Sequence, residues 1–249
     1  MAKFAVILPA AGKSSRFKDK EKKPYVTLDG RAIWLRAAEL FIARDDVCQT
    51  ILVIDKDDEE MVRRRYQANL AFMNVQLCHG GAERFESVAN ALAKLNEEAE
   101  FVAIHDAVRP CVTEELVSAV FGEATRKGAA MLAAKCTDTL KEADKDQKVT
   151  ATLSRKNVWL AQTPQVFRRD WLKEAYEQRS KLGKEITDDA QLVEAAGHPV
   201  HLVESPPSNI KITTKGDVAL ADAILKSRPK PKPNRPAHPF AEEEMWGGR

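Results

Sequence analysis

Apolar residues along this chain fall into two spacings. Short continuous runs occur at 4–8 (FAVIL), 50–54 (TILVI), 75–78 (VQLC), 101–105 (FVAIH) and 129–134 (AAMLAA), and such runs predict buried strands. Between them, amphipathic stretches over about 31–44, 57–70, 83–96 and 113–127 predict helices. Asp57 and Thr113 stand where helix N-caps are expected, with glutamate in the turn that follows. Gly128 follows the last of these helices, where a left-handed backbone is often needed. Strands apolar on both faces and alternating with helices predict an α/β fold with a mostly parallel, doubly wound sheet. Such sheets bind ligands beyond the carboxyl ends of their strands, near a topological switch point. Chemistry is therefore sought in the residues just after each strand.

The pattern changes over 135–162. There TDTLKEADKDQKVTATLSRKNVW reads as two polar strands around an ADKDQ turn, with Val149, Ala151 and Leu153 alternating with Thr150, Thr152 and Ser154. Two strands with so thin an apolar face are marginal in water. The ribbon is expected to lie on a second subunit or back on its own domain, and periodicity allows both. Further helices are predicted near 169–182, from a Thr187 cap to Ala196 with Gly197 closing it, and near 215–226, with a strand at 200–203. From Ser227 proline recurs every second or third residue, which predicts an extended or disordered tail over 227–249.

Composition narrows the kind of partner. The chain has 249 residues and a formal net charge of +2, enough length for a full core but no broad basic surface for coating nucleic acid. No apolar run approaches the roughly 20 residues needed to span a bilayer. FAVILPAAG has too brief an apolar part for a signal peptide and leads directly into charge. Cys48, Cys78, Cys111 and Cys136 lie far apart with no C-x-x-C pair, which favours reduced thiols in a cytoplasmic protein over a zinc site or disulfide framework. Against this near neutrality, the segment Lys13 to Lys23 holds six Lys or Arg side chains against Asp19 and Glu21. Concentrated charge of this kind is aimed at a small anionic partner.

Three strand ends carry candidate chemistry. After the first, GKS at 12–14 lacks the glycine a P-loop needs five positions earlier, where Ile7 stands. The small residues Ala10, Ala11 and Gly12 would still let a phosphate approach the backbone, with Arg16 and Lys23 closing over it, although a solvated charged loop gives the same pattern. After the third, HGGAERFESV at 79–88 offers flexible backbone at Gly80 and Gly81, then Arg84, then Ser87 on the first turns of a helix. After the fourth, HDAVRP at 105–110 places Asp106 opposite the basic loop, suited to a magnesium shell or a substrate hydroxyl, with Arg109 as a planar donor. An Asp106–Arg109 ion pair is the competing reading. Arg155 and Lys211 are further cations, His105 is expected to satisfy a backbone group, and His198 and His201 read as structural.

In order along the chain, PAAGKSSRF, KKPY, GGAERFESV, HDAVRP, DTLK, TPQVF, ITDDA and NIKIT closely resemble the motifs of the 2-C-methyl-D-erythritol 4-phosphate cytidylyltransferase family of the non-mevalonate isoprenoid pathway, over roughly residues 3–226. The resemblance implies a Rossmann-like nucleotidyltransferase domain over 1–226. A β-arm at about 136–161 would reach across a homodimer, and 227–249 has no counterpart. It implies transfer of CMP from CTP to methylerythritol phosphate, giving CDP-methylerythritol and pyrophosphate. Magnesium would be held mainly by the CTP phosphates, with no metal site built from side chains. By position, Arg16 and Lys23 match the cations that stabilise charge at the α-phosphate. Lys211 and Arg155, the latter delivered by a second subunit's arm, match the pair that positions the acceptor phosphate. Ala10, Ala11, Gly12, Gly81, Ala82 and Ser87, with Arg84 nearby, match nucleotide contacts. Asp106, Ala107, Arg109, Thr139, Thr163 and Thr187 match positions around the acceptor or ribose. One departure stands out: the family commonly has Pro-Lys-Gln-Tyr where this chain has Lys22-Lys23-Pro24-Tyr25. Register makes Lys23 the counterpart, with Lys22 able to substitute in part. The rival functions are transfer to another polyol phosphate such as ribitol 5-phosphate, and an inactive nucleotide-binding scaffold.

Overall fold

The computed structural model describes residues 2–12, 14, 17, 21–179 and 186–229. Arg16 and the tail from 230 onward lie outside the described residues. The chain begins with β1 (Phe4–Pro9), a short ribbon of β2 (Thr27–Leu28) and β3 (Arg31–Ala32), then α1 (Ile33–Ile42) and β4 (Val47–Ile54). It continues through α2 (Glu59–Phe72), β5 (Val75–His79), α3 (Arg84–Leu92), β6 (Phe101–Ile104), α4 (Glu114–Lys127) and β7 (Ala129–Lys135). The last third comprises β8 (Leu140–Ala143), β9 (Val149–Leu153), β10 (Trp159–Arg168), α5 (Arg169–Glu177), α6 (Asp189–Ala195), β11 (His201–Glu204) and α7 (Lys215–Lys226).

Seven strands form one sheet in the order β11-β7-β10-β6-β1-β4-β5. All neighbours pair in parallel except β10, which runs antiparallel to both β6 and β7. The expected mostly parallel, doubly wound sheet is thus the observed one. Alternation along β1 shows why the sheet is covered twice. Phe4, Val6 and Leu8 enter a core shared with α1, α2 and α4, while Ile7 enters a second core with α3, α5 and α6. Each Val, Leu or Ile fully buried in this way stabilises the fold by roughly 1.5–3 kcal/mol.

From β1 the chain winds to β4 and β5 on one side, then returns to place β6 on the other. The switch point therefore falls between β1 and β6, at their carboxyl ends. His105 N donates to Ile7 O at 2.9 Å and Ala107 N to Pro9 O at 3.4 Å, so HDAVRP runs alongside the loop that leaves β1.

Local expectations held in part. Thr113 caps α4 by accepting from Leu116 N, and Gly128 ends that helix at φ +92°. A Cβ at Gly128 would stand 2.3 Å from the Trp171 ring, so packing demands glycine there as much as the backbone does. Asp57 is not the cap of α2. It lies in a 3-10 turn, Lys56–Asp58, whose own cap Asp55 accepts from Asp57 N, and Asp58 occupies the α2 cap position. Thr187 is not the cap of α6 either: Asp188 accepts from Gln191 N, and the Thr187 amide and hydroxyl both donate to Gln191 Oε1. Just past α7, Ser227 N donates to Ala223 O and Arg228 donates to Val112 O.

The ribbon predicted within 135–162 is present as β8 and β9, paired antiparallel and separate from the main sheet. Val149 is 56% exposed and Leu153 47%, so two of the three apolar side chains on this face stand largely open.

Candidate active site

A cavity of about 690 Å³ opens at the carboxyl ends of β1, β4, β5 and β6. One wall is Pro9 to Gly12, and the facing wall is Gly80 to Arg84 with Ser87. The two approach so closely that a Cβ at Gly80 would lie 2.5 Å from Ala11 Cβ. Ser87 Oγ accepts from Gly81 N at 3.1 Å and donates to Glu83 O at 3.2 Å, which folds the glycine turn onto the start of α3. Glu83 and Glu86 form a reciprocal capping box there. The helix start that sequence offered to an anion is therefore already served by carboxylates, and Ser87 works first as a brace for the loop.

Asp106 is the electrostatic centre of the floor. It is 6% exposed, and three cations from three segments converge on it. Lys211 Nζ lies 2.9 Å from Oδ2, Arg109 Nε 3.4 Å from Oδ2, and Arg84 Nη2 3.8 Å from Oδ1. Burial alone would raise its pKa, but Lys211, then Arg84 and Arg109, outweigh that and hold it well below the usual carboxylate range. Arg84 is anchored from behind: Nη1 lies 2.7 Å from Asp189 Oδ2, and the Tyr176 hydroxyl donates to Asp189 Oδ1 at 2.6 Å. Burial opposes the Arg84 charge, yet Asp189 and then Asp106 raise its pKa further. The expected Asp106–Arg109 ion pair is thus real, and it is one bond in a larger cluster.

Beneath Asp106 the backbone is tied down by a chain of neutral groups. Thr163 Oγ1 accepts from Asp106 N at 3.0 Å and lies 3.1 Å from His105 Nδ1, while His105 Nε2 lies 3.1 Å from Arg109 O. A carbonyl only accepts, so Nε2 carries the proton and the Thr163 hydroxyl donates to Nδ1. Burial pushes the His105 imidazole down to about 4, which keeps it neutral and able to accept. Lys211 arrives on a segment fixed to the same floor. Ile212 N donates to Val108 O at 2.9 Å, Arg109 donates to Asn209 O at 2.8 Å, and Asn209 Nδ2 donates to Gln162 Oε1 and Thr163 O.

The KKPY segment supplies the roof. Lys23 and Pro24 line the cavity; Lys22 turns to Asp55 and Asp58, at 3.0 and 2.9 Å. The two lysines are therefore not interchangeable in this geometry.

Of the residues singled out from sequence, Ala10, Ala11, Gly12, Lys23, Gly81, Ala82, Arg84, Ser87, Asp106 and Lys211 share this cavity. Ala107, Arg109 and Thr163 form or support its floor and do not line it. Thr139 and Thr187 are exposed and line nothing here. Arg155, exposed in the turn after β9, donates to Thr137 O and is likewise outside the cavity of its own chain. Sequence reading took Asp57 only as a helix cap and overlooked Asp55 and Lys56, which line the rim with it just past β4, and Asp189, which anchors Arg84. A signal for Asp189 existed in ITDDA: two adjacent carboxylates at a helix start cannot both cap it. Among the described residues, no group of three or more His, Cys, Asp or Glu is arranged to hold a metal, and no helix is long and apolar enough to cross a membrane.

Comparison with known proteins agrees with this geometry. A family profile described as 2-C-methyl-D-erythritol 4-phosphate cytidylyltransferase matches residues 4–227. The Rhodopirellula baltica protein of that name is 40% identical over 235 residues, covering 90% of this chain and 95% of its own length. Among solved structures, the 4-diphosphocytidyl-2C-methyl-D-erythritol synthase of Anaerococcus prevotii matches with a TM-score of 0.78 at 31% identity, over 90% of this chain and 96% of that one. The Francisella tularensis 2-C-methyl-D-erythritol 4-phosphate cytidylyltransferase gives 0.76 at 31% identity, over 90% and 100% of the two chains.

Proposed function

The chain belongs to the 2-C-methyl-D-erythritol 4-phosphate cytidylyltransferase family, and on that premise we propose that it transfers CMP from CTP to 2-C-methyl-D-erythritol 4-phosphate. An oxygen of the acceptor phosphate attacks the α-phosphorus. The bond from that phosphorus to the bridging oxygen breaks, and its electron pair leaves with pyrophosphate. No covalent enzyme intermediate is needed, so rate must come from orientation and from fixed positive charge.

The observation that carries this reading is the sharing of one cavity by Lys23, Lys211 and the small-residue backbone at Ala10–Gly12 and Gly80–Ala82. The backbone wall suits the nucleotide, Lys23 the charge that builds at the α-phosphate, and Lys211 the acceptor phosphate. Arg16, which lies outside the described residues, is assigned beside Lys23 from the motif alone. Asp106 is assigned to a substrate hydroxyl, and Arg109 and Thr163 keep it in place. Magnesium is proposed to arrive on the CTP phosphates, where it neutralises charge. Of the carboxylates lining the cavity, Asp106 is shared by three cations and Asp55 is paired with Lys22, which favours the phosphates as the metal's main ligands. No step is assigned to it.

Assembly follows from the arm. We propose a homodimer in which the uncovered Val149 and Leu153 face lies on a second subunit and Arg155 completes that subunit's acceptor site. The cytoplasm is the proposed compartment, in keeping with four unpaired thiols.

Pyrophosphate release should occur with CTP far faster than with ATP, UTP or GTP, and with methylerythritol phosphate far faster than with ribitol 5-phosphate. Preference for ribitol 5-phosphate would move the acceptor assignment, and silence with every acceptor would leave only a scaffold. Lys23→Ala should lower kcat by on the order of 10²-fold or more with the fold intact. Near-normal turnover in that variant would end the role given to Lys23.

A further inference from the structure

The turn that carries Lys23 is only three residues long, Lys23–Tyr25, and what fixes it lies underneath. Pro24 and Tyr25 are buried, and Lys23 N donates to Ser14 Oγ at 3.2 Å. Tyr25 N closes the turn on Lys22 O at 3.0 Å, and Tyr66 OH donates to Tyr25 O at 3.4 Å. The side chains on either side of Lys23 then meet at one point. Lys22 Nζ lies 2.9 Å from the Asp58 carboxylate and 3.0 Å from Asp55 Oδ2, and Tyr25 OH donates to Asp58 Oδ2 at 3.2 Å. Asp58 occupies the cap position of α2 and Asp55 directly follows β4 and caps the 3-10 turn between them, so both acceptors are tied to the frame of the sheet. The clamp is sheltered as well, with the Asp58 side chain 13% exposed and Lys22 29%. Burial opposes the ammonium charge, but Asp58 and Asp55 raise its pKa, so Lys22 stays protonated throughout the working range.

We propose that Lys22 is a positioning residue for Lys23, fastening the turn to Asp55 and Asp58 so that Lys23 is presented to the cavity at a fixed place. The inference rests on the catalytic reading of Lys23 and deepens it. The Lys22 bonds add a side-chain tie between the turn and the frame of the sheet, beyond the backbone bonds at Ser14, Tyr25, Val26 and Tyr66, and a displacement of about 1 Å in a charge-stabilising group costs up to about 10²-fold in rate. Lys22 has a second effect of the same sign. Asp55 lines the cavity, and its carboxylate beside a triphosphate is repulsive unless a cation neutralises it.

The test measures kcat, KM for CTP and Tm for Lys22→Met, Lys22→Arg, Asp58→Asn and the Lys22→Met/Asp58→Asn double variant, with Lys23→Ala alongside. Lys22→Met is expected to lower kcat roughly tenfold or more, by a larger factor than it raises KM, while Lys22→Arg restores kcat to within about threefold. Asp58→Asn should cost a similar factor, and the double variant should be no slower than the worse single one, because both act through one clamp. Unchanged kcat in Lys22→Met overturns the proposal, and so do losses that multiply in the double variant. A fall in Tm with kcat preserved also overturns it, since the clamp would then serve the fold alone. If Lys23→Ala is itself near normal, the underlying assignment of Lys23 fails. If Lys23→Ala is crippled while Lys22→Met is not, only the positioning role fails.

Discussion

The cavity floor and the arm use the same kinds of side chain with opposite degrees of support. At the floor, one buried carboxylate is touched by cations from three separate segments; Arg84 is also held by Asp189 and Arg109 by Asn209 O, while the segment of Lys211 is fixed by Ile212 N on Val108 O. In the arm, Lys141 donates to Thr152 across the ribbon, Arg155 to the nearby Thr137 carbonyl, and the turn is closed by Asp144. Every one of those contacts is local and exposed. Parallel strand ends bring distant segments together, so geometry there is over-determined within a single chain. A two-stranded ribbon brings together only its own two strands, and its place relative to chemistry must be set by whatever it lies on.

The largest test of this contrast is Asp106→Ala. It leaves Arg109 and Lys211 without a counter-charge beside an Arg84 that keeps only Asp189, and stability in urea at pH 7 is expected to fall by about 3 kcal/mol. A loss below about 1 kcal/mol would mean that the cluster is far less interdependent than its geometry implies.

Next is the pH response of His105. Its folded value near 4 lies below the ordinary 6.5, so the unfolded chain takes up a proton first as pH falls. Stability is therefore intact above pH 6.5 and is drained between 6.5 and 4, by about 2 kcal/mol at pH 5. In urea titrations His105→Gln should flatten that slope; an unchanged slope would place the titrating group elsewhere.

Smallest in stability is Arg155→Ala, expected to move the folding free energy by less than about 0.5 kcal/mol because the side chain is exposed. Its activity readout is sharper. Mixed with Lys211→Ala chains, it should regain about a quarter of normal turnover, since random exchange makes half the dimers mixed and each mixed dimer has one complete site. Absence of rescue after proven subunit exchange would remove the shared-site proposal.

Much of this was legible beforehand because the strong signals are short-range. The runs at 4–8, 50–54, 101–105 and 129–134 became β1, β4, β6 and β7, and the ribbon became β8 and β9. What pattern reading missed was β10, a ten-residue strand at the centre of the sheet. Pro164 interrupts it and its register against β7 slips between Ala161 and Gln165, so neither alternation nor continuity marks it. The same blindness explains Asp189, whose role depends on a group 105 positions away in sequence, and the Thr163 contact of His105, 58 positions away, whereas the expected bond of His105 to a backbone group is present on Arg109 O. Caps failed by one residue at Asp57 and Thr187 because several acceptors stood side by side and only tertiary packing chose among them.

The arm leaves the sheet after Lys135 in β7 and rejoins it at Trp159 in β10, and those two residues are direct cross-strand partners. Its entry and exit are therefore adjacent, as at the mouth of a hairpin. A tight turn joining them would close the seven-stranded sheet without disturbing a buried residue of it. Folding of the body and the proposed pairing of subunits would in this way be inscribed on separable stretches of chain, and selection could lengthen, trim or re-decorate the one with little penalty to the other.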